Sequence, residues 1–261
     1  MNVKNVVKVM NFHALVRVDS ARRRATKLMM MDRQLYEMMD QILNNRNFRL
    51  DKRLPVPPQG KPKLVIYVGS DYGFCSNYNN QVSELLLMDR QCEKIIIGKK
   101  LRKTESNVLL RIDHAEFADS RERIQGLLEK AVCEGANSEV YIVYNRYINS
   151  AKIEFQCEKL YPIDIPENAD RSVYKDDFVV EGDLSRLLMD ILITYLMQEL
   201  ELAIISGYAS ENIMRQDTTH ESLKKIEERE EEQLMWERKQ RRQEEFGKLV
   251  ENFIQSSSYG R

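Results

Sequence analysis

The sequence predicts an α/β domain inserted between two long helices that pair as an antiparallel coiled coil. Both ends of the chain are long, charged and free of proline, whereas short strands and helices alternate only in the middle. Glycine and proline are scarce, at 10 and 6 of 261 residues, which suits long helices with few turns. We therefore predict an N-terminal coiled-coil helix over residues 1–50, an α/β domain over 61–183 and a long C-terminal coiled-coil helix over 184–261. This shape favours a mechanical element over a self-contained enzyme.

The composition excludes several classes of protein. Lysine plus arginine and aspartate plus glutamate nearly cancel, at 40 and 41, so no strong overall field favours nucleic acid or acidic membranes. The four cysteines form no CxxC pair or metal-ligand spacing, and the start lacks an apolar signal core. We expect free thiols in a reducing cytoplasm. No apolar run reaches membrane-spanning length, which predicts no direct membrane insertion.

The N-terminal helix carries a seven-residue apolar repeat, which is typical of a left-handed coiled coil. Arg17 and Arg24 interrupt its second row. Either the aliphatic parts of the two arginine side chains lie along the groove and their guanidinium groups reach water, or this stretch of the helix faces another subunit. The sequence leaves both interpretations open. The predicted core positions are Val7, Ala14, Ala21, Leu28, Leu35 and Ile42, and the companion row is Val3, Met10, Arg17, Arg24, Met31 and Met38.

The middle of the chain alternates strands and helices, which predicts a Rossmann-like domain with a parallel sheet and right-handed crossovers. A stretch with three prolines and a glycine, residues 54–60, separates it from the first helix. Runs rich in β-branched residues predict the strands. We predict strands at 63–69, 94–98 and 139–144, helices at 77–88 and 121–133, and further extended stretches at 152–160 and 177–180.

A nucleotide site after the first strand is the enzyme alternative. Gly69 and Gly73 do not form GxGxxG, and GxxxxGK[ST] is absent from the sequence. Glycines after strands usually just permit the turn. The three histidines are scattered, and no second histidine or cysteine stands at helical spacing from any of them. The sequence thus predicts no catalytic site, no cofactor and no metal, although a small-molecule-binding α/β enzyme with coiled-coil arms stays open as an alternative.

The C-terminal helix changes character along its length. Its first part carries an apolar stripe, with Gly207 inside it either weakening the helix or permitting a close crossing. Beyond His220 the stripe thins into an acidic run and then a basic cluster, the pattern of a solvated helix. An apolar group at the tip follows, which must pack back or enter a partner. The stripe is Leu188, Ile191, Tyr195, Leu202, Ile205 and Ala209; the basic cluster is Arg238, Lys239, Arg241 and Arg242; the tip is Phe246, Leu249, Val250, Phe253 and Ile254.

Several short motifs, in this order, resemble the gamma subunit of F-type ATP synthase, its central rotating shaft. Residues 69–79 are similar to the family's Ser-Asp-Arg-Gly-Leu-Cys-Gly-Gly-Leu-Asn turn. Each motif is weak alone, but their order and spacing are specific. The other matching segments are residues 4–5, 8–9, 22–23, 98–100, 144–147, 178–181, 209–211 with Arg215, and 242–243.

The resemblance implies a non-catalytic shaft that transmits torque between a membrane ion-driven ring and a catalytic hexamer. Its implied partners are α- and β-type ATPase subunits, an epsilon-type subunit and the membrane rotor ring, in a complex on the cytoplasmic side. Arg242 and Gln243 are the candidate polar contacts to a β subunit. The full set of candidate partner-binding residues is Arg242, Gln243, Arg238, Arg241, Phe246, Leu249, Val250, Phe253, Arg215, Arg17 and Arg24.

Two departures from the family pattern motivate an alternative. Residues 10–17 replace a run of smaller residues in the first helix, and Phe246-Gly247 stands where the family has Ile-Thr. The alternative is the stalk of a paralogous F-type-like rotary ATPase that drives secretion or motility.

Overall fold

The computed structural model describes residues 3–44, 57–102, 106–163 and 182–258. Two long helices flank a set of short strands and helices, so the element order agrees with the sequence-based prediction. The elements are α1 (Val3–Asn44), β1 (Leu64–Val68), α2 (Asn80–Met88), β2 (Glu93–Ile97), β3 (Val108–Ile112), α3 (Arg121–Val132), β4 (Val140–Asn149), β5 (Lys152–Tyr161) and α4 (Leu184–Ser258). The domain limits remain predictions, and the expected strand at 177–180 lies outside the described residues.

The sheet has five strands in the order β3-β2-β1-β4-β5. The first four run parallel, as predicted, but β5 pairs with β4 in the antiparallel sense, so the sheet is mixed. The two strands form a hairpin in which only Ser150 and Ala151 separate them, too short a connection for a parallel crossover. The edge strand β3 was not predicted; Arg111 interrupts its apolar run.

Both faces of the sheet are covered by helices, which explains why β1 is buried at every position. On one face, Leu64, Ile66 and Val68 pack with α3 and the first part of α4. On the other, Val65 and Tyr67 pack with Val82 and Leu86 of α2. The α4 helix is therefore part of the domain core as well as an arm.

Helices α1 and α4 pair in the antiparallel sense. The early residues of α1 meet late residues of α4: Lys4 Nζ lies 2.7 Å from Glu230 Oε2, and Asn11 Nδ2 donates to Gln216 O at 3.0 Å. Further along α1, Gln198 Nε2 donates to Leu28 O at 3.3 Å.

The predicted core row of α1 is partly confirmed. Ala14 and Ala21 are buried, and Val7, Leu28 and Leu35 are half-buried; the side chain of Ile42 lies outside the described set. The predicted companion row is wrong at five of its six positions: Arg17 and Arg24 are exposed, and so are Val3, Met31 and Met38, whereas Met10 is half-buried.

The true second row of α1 lies one residue later. It consists of Lys4, Asn11, Val18 and Ala25, which are buried or half-buried. Polar residues at two of these places hid the row from an apolar count, since Lys4 and Asn11 face α4 through ion pairs and hydrogen bonds. Heptad spacing is retained, with the companion four residues after each core position instead of three.

Val18→Ala should lower the free energy of unfolding by about 2 kcal/mol, because it removes two methyl groups from the helix seam. Val18 is 8% exposed. Denaturant titration followed by circular dichroism is the measurement.

Val16→Ala is the matched control, since Val16 lies two residues away on the same helix and is 51% exposed. Its free energy of unfolding should stay within about 0.5 kcal/mol of the wild type. Equal losses in the two variants would contradict the seam described above.

Candidate partner-binding surface and its anchorage

The last part of α4 extends beyond the helix pair. Near its start, Lys4 contacts Glu227 and Glu230, at 3.4 and 2.7 Å. Every described side chain from residue 231 to 252 is exposed. We call residues 231–252 the distal segment. Within the described chain it stands in water as a single helix of roughly 30 Å, at 1.5 Å per residue.

The distal segment has an apolar face that points away from the α1 side of α4. The positions facing α1 are Thr219, Ile226 and Glu230, and the same row continues through polar Gln233 and Glu237. Successive residues of a helix are rotated by about 100° about its axis, so the side chains of the apolar group lie at about 120° or more from the α1-facing row. The group comprises Met235, Phe246, Leu249 and Val250.

This face is larger than a solvated helix requires. Met235 is 72% exposed, and Phe246 and Leu249 are 69% and 67% exposed. The only tryptophan of the chain, Trp236, is also exposed and was missed in the sequence analysis, although a lone tryptophan in a charged helix is a visible signal. Exposed apolar rows of this kind mark interaction sites.

The predicted polar contacts lie on the same segment. Arg238, Arg241, Arg242 and Gln243 are all exposed, and Arg242 falls within the apolar face while Gln243 lies at its border. The structure thus brings these four residues together with Phe246, Leu249 and Val250. The side chain of Phe253 lies outside the described set.

Arg17 and Arg24 lie elsewhere, near α4 residues 201–208, about 50 Å along the helix from Arg242. They border a cavity of about 420 Å³ between α1, α4 and the loop before α3. Both side chains are exposed, and Arg24 Nη2 is 4.0 Å from Glu201 Oε1. The head groups therefore reach water, as one of the two sequence interpretations expected.

Arg215 is not on the surface. It is 4% exposed and its guanidinium is occupied inside the chain. It donates to Gly73 O at 3.3 Å and to Asn212 Oδ1 at 2.8 Å, and it forms an ion pair with Glu211. The guanidinium also lies 5.8 Å from the ring centre of Tyr72. This side chain ties the turn after β1 to α4, and we leave it out of the proposed partner surface.

Glu211 is the buried partner of this ion pair, at 1% exposed. Burial raises the pKa of its carboxyl, and the charge and hydrogen bond of Arg215 act in the opposite direction. The buried ion pair therefore carries no net charge, and removing either residue would leave the charge of the other buried without a partner.

The turn after β1 has no room for a phosphate at the strand end. A Cβ placed on Gly69 would fall 2.4 Å from Leu101 Cγ, and one on Gly98 would fall 2.8 Å from the carbonyl carbon of Gly69. In addition, α2 begins only at Asn80, so its N-terminus does not follow the strand directly. This geometry disfavours the nucleotide-binding alternative.

Other kinds of site find little support in the part of the chain that the structure describes. There, no three or more histidine, cysteine, aspartate or glutamate side chains are grouped to hold a metal ion. No described helix has the length and apolarity needed to cross a membrane.

Comparison with known proteins assigns the chain to a family. The profile of the family described as ATP synthase matches residues 1–248. The chain belongs to the ATP synthase gamma-chain family. An ATP synthase gamma chain of Clostridium novyi is 29% identical over 229 residues, covering 82% of this chain and 78% of the relative. One from Xanthomonas campestris is 24% identical over 235 residues, covering 82% and 80%.

Two solved structures share the fold of this chain. A chain from the central stalk and c-ring structure of the Tetrahymena thermophila mitochondrial ATP synthase superposes with a TM-score of 0.61 at 15% identity, covering 83% of this chain and 99% of that one. A chain of the Euglena gracilis mitochondrial ATP synthase gives a TM-score of 0.53 at 13% identity, covering 95% and 94%. At such identities the likeness concerns the fold alone.

Arg215→Met should lower the free energy of unfolding by about 3 kcal/mol near neutral pH, because it leaves the Glu211 carboxylate buried without its counter-ion. Without the guanidinium, the pKa of the Glu211 carboxyl rises further. A carboxyl whose pKa is higher in the folded than in the unfolded state stabilises the fold only at low pH, where it is protonated. The deficit should therefore shrink between about pH 8 and pH 5. Urea titrations of both proteins across this range provide the measurement.

Arg229→Met is the control, since Arg229 is exposed on the same helix. It should change stability by less than about 0.5 kcal/mol at either pH. A deficit in Arg215→Met that is independent of pH would show that Glu211 does not carry the effect.

Proposed function

We propose that this chain is the central rotating shaft of an F-type ATP synthase and has no catalytic site of its own. The observation that carries the proposal, beyond family membership, is the distal segment with its outward apolar face. A ring of alternating α- and β-type subunits around this segment would cover that face. The shaft would then occupy the centre of the ring, with its helices along the rotation axis.

The helix pair supplies the stiffness that a shaft needs. Two helices packed side by side along α1 bend less than either helix alone, and α4 continues without a break into the distal segment. Because the apolar residues occupy only one side of that segment, the shaft presents a different surface to each member of a threefold ring. Its rotation would thus place the three catalytic sites in different states.

The sheet domain lies at the other end of the shaft. Its contacts with α4 end near Arg215, roughly 55 Å along the helix from the end of the distal segment. This separation supports a domain that meets the epsilon-type subunit and the membrane rotor ring while the distal segment stays in the hexamer. We place the assembly on the cytoplasmic side of the membrane, held there through its partners.

The basic residues of the distal segment would align the shaft with the ring more than they would increase its binding affinity for the ring. Arg238, Arg241 and Arg242 are exposed and lie within an arc of about 100° on one side of the helix, so they can meet an acidic loop of the ring together. Rim charges of this kind mainly steer association and suppress wrong alignments.

The alternative of a paralogous motor for secretion or motility is not favoured. The matched curated relatives, from clostridia to Xanthomonas, are named ATP synthase gamma chains.

Affinity purification of the tagged full chain from its native cells tests the proposal. Partners would be identified by mass spectrometry and the eluate assayed for ATP hydrolysis. Recovery of active α- and β-type subunits together with membrane-ring subunits is the expected result. A chain ending at Glu230 should lose the hexamer, whereas hexamer recovery with that truncated chain would exclude the distal segment as the binding element.

Arg242→Ala combined with Gln243→Ala should lower the ATP turnover of the assembled complex several-fold while the chain stays folded. The lost contacts are polar contacts that align the shaft with the ring, so their loss should appear in turnover more than in assembly. Steady-state ATPase assays normalised to the amount of assembled hexamer provide the measurement.

Arg229→Ala combined with Gln233→Ala is the matched control, because it removes the same two side-chain types from the same helix. Both residues lie near the start of the distal segment, on the side of α4 that faces α1. Its turnover should match the wild type. Unchanged turnover in the Arg242 and Gln243 variant would exclude these residues as contacts that matter for catalysis in the ring.

A further inference from the structure

We propose that the polar contacts between the sheet and residues 206–215 of α4 form the joint that transmits torque between the sheet domain and the shaft. We call these contacts the torque joint. This inference rests on the proposed function of the chain as a rotor, and it assigns to named residues the place where the twisting load crosses from domain to helix.

The torque joint consists of directional bonds at the carboxyl-terminal edge of the sheet. Tyr78 Oη donates to Gly207 O at 2.7 Å, and the Tyr147 backbone N–H donates to Ser206 Oγ at 2.9 Å. Ser210 Oγ donates to Asn145 O at 3.0 Å. These bonds link α4 to the turn after β1 and to the second half of β4.

The bonds are also linked to each other. Asn145 Nδ2 donates to Tyr78 O at 2.8 Å, so the two sheet-side anchors are held together. Tyr78, Asn145 and Ser210 are all buried, which keeps water from competing for these bonds. The joint is therefore one connected network.

Directional bonds are needed here because the first part of α4 meets the sheet core through apolar side chains. Leu192, Leu196 and Leu200 of α4 pack in the sheet core. Apolar contact resists separation, but it is non-directional and resists sliding or rotation only weakly. Hydrogen bonds weaken steeply when their angles change, so they oppose rotation of α4 against the sheet.

The joint holds α4 from opposite sides. Ser206 and Arg215 are nine residues apart, which places them about 180° apart around the helix. Ser206 contacts β4, whereas Arg215 contacts Gly73 in the turn after β1. A twist of α4 about its own axis in either direction therefore strains bonds on both sides.

The turn that presents Tyr78 is itself rigid. Asn79 Oδ1 accepts from the Ser70 backbone N–H at 3.0 Å, and Asn79 Nδ2 donates to Ser70 Oγ at 2.7 Å. The bond from the Tyr78 hydroxyl to Gly207 O can be removed by deleting one atom.

Tyr78→Phe is the test, because it removes only the hydroxyl and keeps the ring in place. Exchange of the Tyr147 amide hydrogen reports the joint directly, since its bond to Ser206 crosses the joint. In the full chain, hydrogen–deuterium exchange of a peptide spanning residues 145–149 should become about fivefold faster, the effect of losing one buried hydrogen bond on a local opening equilibrium. In the assembled complex in vesicles, the number of ions pumped per ATP hydrolysed should fall while ATP hydrolysis per hexamer is maintained.

Tyr144→Phe is the matched control. Tyr144 and Tyr78 are equally buried, at 5% exposed, but the Tyr144 hydroxyl donates to Glu158 within the sheet. Tyr144→Phe should leave both the exchange of residues 145–149 and the pumping ratio at wild-type values. Comparable thermal stability of the two variants would exclude general destabilisation as the cause.

The outcomes separate the two proposals. Unchanged exchange in Tyr78→Phe overturns the joint itself, and faster exchange with an unchanged pumping ratio overturns its role in torque. If the wild-type chain fails to assemble with α- and β-type subunits, the proposed function fails, whereas the exchange experiment on the chain alone still decides whether the joint exists.

Discussion

The close approach of α4 to the sheet at Gly207 is the contact on which the rest of the structure depends. A Cβ at this position would lie 3.2 Å from Tyr78 Oη and 3.5 Å from Val68 Cγ1, so a side chain would crowd the bond between Tyr78 and the helix carbonyl. Glycine costs about 1 kcal/mol of helix propensity relative to alanine. Here it brings the helix backbone within reach of the carboxyl-terminal edge of the sheet, and the polar bonds around it follow from that distance.

One helix passes through three environments, and its sequence changes to match each of them. Up to about residue 205, α4 buries apolar side chains against the sheet. From 206 to 219 it carries buried polar residues such as Ser210, Glu211 and Asn212, each hydrogen-bonded to a neighbour. Beyond Glu230 it is charged and exposed. A helix with a single apolar stripe could not serve a domain core, a second helix and an external partner in turn.

Local sequence patterns predicted the two antiparallel helix arms and four of the five described strands, all but β3, because each depends on periodicity and on residue type. The same patterns failed where contacts were polar. The inner row of α1 includes Lys4 and Asn11, which an apolar heptad cannot reveal, and Arg215 looked like a surface residue although Glu211 neutralises it in the interior. The stretch at 152–160 was predicted as extended but without a direction, because strand pairing is set by the two-residue connection between β4 and β5 and not by composition.

The composition of the distal segment suits a helix that forms before its partner arrives. Most of the stability of helices in proteins comes from tertiary packing and not from intrinsic propensity. The described chain gives residues 231–252 no such packing, yet they are dominated by glutamate, glutamine, arginine and lysine, all strong helix formers, with Gly247 as the one interruption. A segment already helical loses little backbone entropy on binding, so more of the free energy gained by burying Phe246 and Leu249 remains for affinity. A preformed helix is also needed for a rotating shaft, because a segment that folded only on contact with the ring would deform under the torque that it transmits.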